Sequence, residues 1–343
     1  MVGVTAKKLA SPLAAKSPKA KPASPKPNKV KAGRPASPGK PKTPKGKPKA
    51  KPKGKAIEPP AVEDEWPTGE GTSRGAPSPD PLSETEADLA SLSLASERGS
   101  FGSVINVLRH GDAKQKEDAA GVLLKAAFND INQLVIAESG GIEPLVELAR
   151  DGTEGQKHNA VGALSILSRN DDNAVTICKL GGLGPLLTLL RGGTPMQREL
   201  AAGTLVNLAF DDAVAMAIMR AGGVAPLLAL ARDGTAGQKV RCAACLRNLA
   251  YTEEIAVAIA QMGVEPLVAL VLGGSAAAKE QAAGCLGNLG LVMRNRQAIQ
   301  VSGGYQALSQ LVMEGTEGQR EVAAAALQVL AHADEVAVLV KKG

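Results

Sequence analysis

Aromatic residues make up only 2% of this 343-residue chain: one Trp, two Tyr and three Phe. A platform that stacks single-stranded bases on successive rings is thereby excluded. Four cysteines (Cys178, Cys242, Cys245, Cys285) and three histidines (His110, His158, His332) are too few and too scattered for a disulfide framework or a metal centre. A reducing, intracellular compartment, cytoplasmic or nuclear, is therefore expected. Long apolar runs are scarce too: uncharged stretches such as 266–278 are too short to span a bilayer, so no transmembrane span is expected. Lys7 and Lys8 are followed by Leu-Ala-Ser-Pro, not by the apolar h-region of a secretory signal. Val2 stands where myristoylation requires Gly.

Acidic residues are missing from residues 1–57, which hold sixteen Lys and Arg34, a charge of +17, with eleven of the 22 prolines. The whole chain sums to +6, so residues 58–343 carry −11. With every aromatic beyond residue 57, the tail has too little apolar area to offset its ordering entropy, and a disordered basic tail is predicted over 1–57. Residues 58–98 carry ten acidic and two basic residues, an acidic linker of net −8 that can pair transiently with the tail. Within it Trp66, in Glu63-Asp64-Glu65-Trp66-Pro67, offers a short linear anchor. Ser83-x-x-Glu86 is a capping box for a helix at 84–96 that would cap the domain beginning at residue 99.

What is abundant from residue 99 onward is Ala, Leu, Val and Gly, arranged with a period of 41 and one interval of 40. The junction 140–144, Gly-Gly-Ile-Glu-Pro, returns at 181–185, 222–226, 262–266 and 303–307. Ten residues on, Thr153, Thr194, Thr235 and Thr316 each precede a Gln by three residues, a capping box that starts a helix. About 14 residues of helical apolar spacing follow, ending at a polar patch such as Asp211-Asp212 or Thr252-Glu253-Glu254. Gly-Gly then stops a short helix, and Pro enters the first turn of the next. The unit predicted is short helix, medium helix, long helix, and such units must stack to bury their apolar faces. Long helices are expected near 114, 154, 195, 236 and 317, with a degenerate sixth near Ala276. The last residues, 334–343, read as the short helix of a seventh unit, either cut short or serving as a cap.

Three helices per 41 residues, the Gly-Gly junction and the segment Ala202-x-x-Leu205-x-Asn207-Leu208-Ala209 together resemble the armadillo repeat. The resemblance covers about 99–343 in roughly six repeats and implies an all-α solenoid. A HEAT array, with two helices per unit, is the second reading. The family's concave groove would be lined by the stripe Leu200, Gly203, Thr204, Asn207 and Phe210. In later units the same register gives Arg241, Ala244, Cys245, Asn248 and Tyr251, then Gln281, Gly284, Cys285, Asn288 and Leu291. The resemblance implies that Asn207, Asn248 and Asn288 hold an extended peptide by its backbone, with Phe210, Tyr251, Arg241 and Gln281 beside them. The alternative is that these Asn bridge neighbouring helices. The Trp with which import receptors of this family grip Lys-rich signals is replaced by Gly203, Ala244 and Gly284, which argues against that role. Lys125, Ile166 and Val329 take the Asn register in outer units, confining the ladder to the middle three. A further column, Phe128, Arg169, Phe210, Tyr251, Leu291 and His332, either lines side-chain pockets or packs against the next short helix.

Cys242-x-x-Cys245 has no second pair, and Cys285 falls one repeat after Cys245, so small-residue packing is expected instead of zinc or redox chemistry. Gly152-Thr-Glu-Gly-Gln-Lys157 lacks the ending of a phosphate loop and is a structural turn. No catalytic constellation is placed on a common face, so neither an enzyme, a cofactor nor a small-molecule substrate is expected. The tail resembles the Lys/Ala/Pro tails of linker histones, and nonspecific binding of nucleic acid, binding of an anionic membrane surface and nuclear targeting all fit it. Gly33-Arg34-Pro35 matches the core of a minor-groove hook. Ser17, Ser24, Ser37 and Thr43, each before Pro, are candidate phosphosites that would lower the tail's charge. The expectation is a scaffold or adaptor that holds an extended segment of another protein. The alternatives are a chromatin- or nucleic-acid-associated protein acting through its tail, or a groove filled by that tail.

Overall fold

From the second unit on, each repeat becomes three helical segments whose ends are marked by residues visible in the sequence. The computed structural model describes residues 100–342, with side chains as far as residue 331. The tail, its phosphosite candidates, the acidic linker, the helix expected at 84–96 and the His332 side chain lie outside the described residues. The first unit supplies α1 (Gly102–His110) and α2 (Ala113–Ala126). Next come α3 (Asp130–Glu138), α4 (Ile142–Asp151) and α5 (Glu154–Leu167), then α6 (Asp171–Lys179), α7 (Leu183–Gly192) and α8 (Pro195–Leu208). The fourth unit is α9 (Asp212–Arg220), α10 (Val224–Asp233) and α11 (Ala236–Leu249), and the fifth α12 (Glu253–Met262), α13 (Glu265–Gly273) and α14 (Ala276–Gly290). A 3-10 turn (Met293–Asn295), α15 (Arg296–Val301), α16 (Gly304–Glu314) and α17 (Glu317–Lys342) complete the array. Three helices per unit, not two, decide against the HEAT reading.

The short-to-medium corner needs a left-handed residue. Gly222 has φ of 70°; its N–H donates to Met219 O, and Gly223 N–H donates to Ile218 O, each at 2.9 Å. This pairing satisfies the last carbonyls of α9, and only Gly enters that conformation without strain. A Cβ on Gly223 would stand 2.7 Å from Ile218 Cγ2, so the second glycine is required by close approach instead. Arg191 closes the corner from the preceding unit, donating to Ala221 O at 2.7 Å and Gly222 O at 3.3 Å. In the fifth unit a single Gly263 serves, α13 is nine residues long where α10 is ten, and the period drops to 40.

The core is a layer between long and medium helices, repeated unit by unit. One register of the long helices holds Ala119, Ala160, Ala201, Cys242, Ala282 and Ala323, every one 0% exposed. Four residues on, Leu123, Leu164, Leu205, Leu246 and Leu286 are equally buried. Small residues let adjacent long helices approach, and each Leu then fills the space toward the medium helix. No strand occurs, and no single helix is long and apolar enough to cross a membrane, among the described residues.

The C-terminal end departs from expectation. No separate short helix covers 334–342; α17 runs unbroken to Lys342. The cause lies in the residue just after each long helix. Asn129, Asn170 and Asp211 cap the next short helix with their side chains, breaking the chain direction. Thr252 stands there without a side-chain cap bond, and Val292 admits only a 3-10 turn before α15. Ala333, a strong helix former, occupies the equivalent place in α17, and the helix continues.

Candidate binding face

The two ends of the long helices are built differently. At their N-terminal ends, Asp112, Thr153, Thr194 and Thr235 form full capping boxes with Gln115, Gln156, Gln197 and Gln238. The same glutamines reach across units: Gln156 Nε2 donates to Ala113 O at 2.6 Å, Gln197 to Glu154 O at 3.1 Å, Gln238 to Pro195 O at 2.7 Å and Gln319 to Ala276 O at 3.1 Å. Each side chain thus satisfies one end of its own helix and ties it to the preceding one. In the fifth unit Ser275 still caps, accepting from Ala278 N–H, but Ala278 replaces Gln.

Near the C-terminal ends the asparagines do the tying. Asn207 Nδ2 donates to Ser165 O at 3.3 Å and Ser168 Oγ at 2.9 Å, Asn248 to Val206 O at 3.0 Å, and Asn288 to Arg247 O at 2.9 Å. Helix bridging, the second of the two expectations for these residues, is therefore present. An amide has two N–H groups and a carbonyl oxygen, so a bridge leaves capacity for a partner's backbone. The three side chains remain partly exposed.

Not every residue of the expected stripe faces outward. Leu200 is 9% exposed, and Thr204 is fully buried with its hydroxyl donating to Leu200 O at 2.9 Å. Both lie in the seam between long helices, because neighbours on either side cover more of the helix than an i, i+3, i+4 pattern reveals. Ile166, in the Asn register of the second unit, is likewise core at 5% exposure. Gln281 is 7% exposed and its Oε1 accepts from Arg247 Nη1 at 3.2 Å. Arg241 is partly exposed, its stem 3.8 Å from where a Cβ on Gly203 would be. A Cβ on Gly284 would meet Arg247 Nε at 2.7 Å, so the positions where import receptors carry Trp are here crossed by arginines.

The column three residues past the ladder stands clear of the core. Phe128 is 51% exposed, Phe210 60%, Tyr251 58% and Leu291 59%, with Arg169 also exposed. More than half of Phe128, Phe210, Tyr251 and Leu291 is thus left open by whatever the next short helix covers. Beside Leu291 an open depression of about 430 Å³ is lined by Glu253, Val292, Met293 and Arg294, with Arg294 paired to Glu253 at 3.1 Å.

The cysteines behave as packing. Cys242, Cys245 and Cys285 are fully buried, and Cys245 and Cys285 share a register with Ala163, Thr204 and Ala326. Burial raises all three thiols, Cys285 to about 12, and lifts Cys178 to about 11. Thiols held protonated are poor nucleophiles and poor ligands. Among the described residues no three His, Cys, Asp or Glu side chains converge on a metal position.

Arg247 escaped the sequence reading. It lies one residue before Asn248, off the ladder. Its signal is the composition of α11, which holds Lys239, Arg241 and Arg247 with no carboxylate, while every other long helix contains Asp or Glu.

Comparison with known proteins agrees with this architecture. The armadillo/beta-catenin-like repeat model matches residues 129–169 and 170–210. No curated protein matches the sequence. Among solved structures, one engineered protein is 27% identical, covering 67% of this chain and 96% of its own, with a TM-score of 0.64. Another engineered protein is 26% identical, covering 74% of this chain and 61% of its own, with a TM-score of 0.63. A designed armadillo repeat protein in complex with the peptide (KR)4 shares the fold at 22% identity, covering 67% of this chain and 99% of its own, with a TM-score of 0.63. The matched units, their recurrence at 40–41 residues and the three-helix geometry identify this as a chain built of armadillo repeats.

Proposed function

We propose that the long-helix face of units three to five holds an extended segment of a partner protein, making the chain a noncatalytic scaffold. One observation carries this reading: Phe210, Tyr251 and Leu291 are large, more than half exposed, and placed one unit apart beside Asn207, Asn248 and Asn288. Packed helices lie about 8–10 Å apart, a distance that about three residues of extended chain cover. A partner could therefore set an apolar side chain against each ring or Leu while its peptide groups meet the asparagine amides. Computationally designed armadillo repeat proteins for modular peptide recognition share the fold at 24% identity and support the reading. The partner differs in charge from (KR)4, because Lys239, Arg241 and Arg247 oppose a basic segment.

The test compares proteins captured from cell extract by the full chain and by Phe210→Ala/Tyr251→Ala/Leu291→Ala, with circular dichroism on both. Specific proteins lost by the folded triple variant are the expected result; an unchanged set overturns the reading. Asn207→Ala/Asn248→Ala/Asn288→Ala should weaken capture and stability together, since it also removes the bridges. The tail's +17 charge favours a second reading, polyanion binding by residues 1–57. It requires DNA affinity that falls steeply with salt and disappears on deletion of the tail.

A further inference from the structure

The most basic of the long helices is also the central one of the three that carry the asparagine ladder. On α11 neither Arg241 nor Arg247 forms an ion pair among the described residues. Arg241 reaches toward Gly203 in the unit before, and Arg247 lies over Gly284 in the unit after. Two guanidinium groups are thus spread across three units, with Tyr251 and Phe210 exposed beside them. Such a face suits a short extended segment that joins carboxylates to an apolar ring.

The chain contains one. Glu63-Asp64-Glu65-Trp66-Pro67 joins three consecutive carboxylates to the only tryptophan of the protein. We infer that this acidic segment docks in cis on the α11 face, its carboxylates on Arg241 and Arg247 and Trp66 against Tyr251 or Phe210. The inference rests on the extended-segment reading above and adds an internal competitor to it.

Reach is adequate. Trp66 precedes Phe101, where the array begins, by 35 residues. Treated as coil throughout, a chain of that length would have a root-mean-square span of about 30–35 Å, and the helix expected at 84–96, about 20 Å long, would leave a reach of the same order. Three steps between packed helices, from the first unit to the fourth, amount to about 24–30 Å. A tether matched to its span holds its segment at an effective concentration of about millimolar, so a weak site would be filled. A partner then has to displace residues 63–67, and added salt, which screens exposed charges, would favour release.

Trp66 reports directly on this docking because no other tryptophan contributes to the fluorescence. In the full chain its emission should be blue-shifted, and its quenching by acrylamide reduced, relative to the same chain in guanidinium chloride. Glu63→Lys/Asp64→Lys/Glu65→Lys, which alters nothing in the array, should abolish both effects. Arg241→Glu/Arg247→Glu should do the same while far-UV circular dichroism stays constant, and combining the two sets should restore protection. If the arginine variant does not fold, the segment variant and a salt titration of the unaltered chain still decide. Trp66 as open to acrylamide in the native chain as in denaturant overturns the inference. So does protection that survives in the folded arginine variant, because Trp66 would then sit elsewhere. Loss of the inference with capture still dependent on Phe210, Tyr251 and Leu291 leaves the scaffold reading intact; loss of that capture alone removes the scaffold reading.

Discussion

The N-terminal and C-terminal ends of the long helices carry the same number of units and very different degrees of regularity. At the N-terminal end, the pair of capping residue and Gln recurs in five of six units, and four of those Gln side chains tie one unit to the one before. At the C-terminal end the ladder register reads Lys125, Ile166, Asn207, Asn248, Asn288 and Val329, and in the first five units the residue three places on is an exposed Phe, Arg, Tyr or Leu. Helix starts have orphan N–H groups in every unit, so the same solution is needed every time. The far end leaves orphan carbonyls in every unit too, but following backbone N–H groups meet them, as Ala209 N–H does Leu205 O and Ala250 N–H does Leu246 O, so no particular side chain is demanded there. Variation there distinguishes the middle units from the outer ones, and this is what a site confined to part of an array requires.

The comparison breaks most severely where both ends depend on the core. Leu246→Ala removes a fully buried side chain between α11 and its neighbours and should cost about 2–5 kcal/mol in chemical unfolding followed by circular dichroism. A loss as small as that of a surface change would mean that the long-helix layer is loosely packed. Next is Gln238→Ala. It leaves the Thr235 N–H without its partner and removes the inter-unit bond to Pro195 O, and about 1–3 kcal/mol should be lost in the same measurement.

A gain is expected where the regular end has a gap. Ala278→Gln would complete the box with Ser275 and place an amide toward Ala236, giving the fifth unit the tie it lacks. Stability should rise by about 1 kcal/mol. A fall would show that glutamine at this place serves the cap alone and that the tie between units adds nothing.

What the sequence displayed follows the same division. Capping boxes, Gly-Gly corners and the 41-residue period were legible because each demands a particular residue type: a hydroxyl or carboxylate at a helix start, a glycine at positive φ. The burial of Cys242 and Cys245 was legible too, since the repeat aligns Cys242 with alanines and Cys245 with small residues, Ala163, Thr204, Cys285 and Ala326. Burial of Leu200 and Thr204 was not, because helical spacing defines a stripe without saying which neighbour covers it. The bridging by Asn207, Asn248 and Asn288 was one of two readings for a similar reason: an amide suits a carbonyl of the next helix as well as one of a peptide. The run-on of α17 goes with a missing cap at Ala333, an absence that shows only when the caps at Asn129, Asn170 and Asp211 are set beside it.

The smallest expected effect on stability divides the C-terminal end itself, exposed column from buried register. Phe210→Ala and Tyr251→Ala, taken singly, should change unfolding free energy by no more than about 0.5 kcal/mol, because more than half of each side chain already faces solvent. Ile166→Ala, in the ladder register one unit before Asn207, should cost several times more, since that side chain is 5% exposed. An aromatic ring that contributes little to the fold is nonetheless an aromatic ring kept out of the core in a chain with only six of them. If both substitutions prove strongly destabilising by thermal melting, the rings hold the array together and the C-terminal end is structural after all. If they leave the melt unchanged and remove captured partners, the exposed column is there to be covered by another chain.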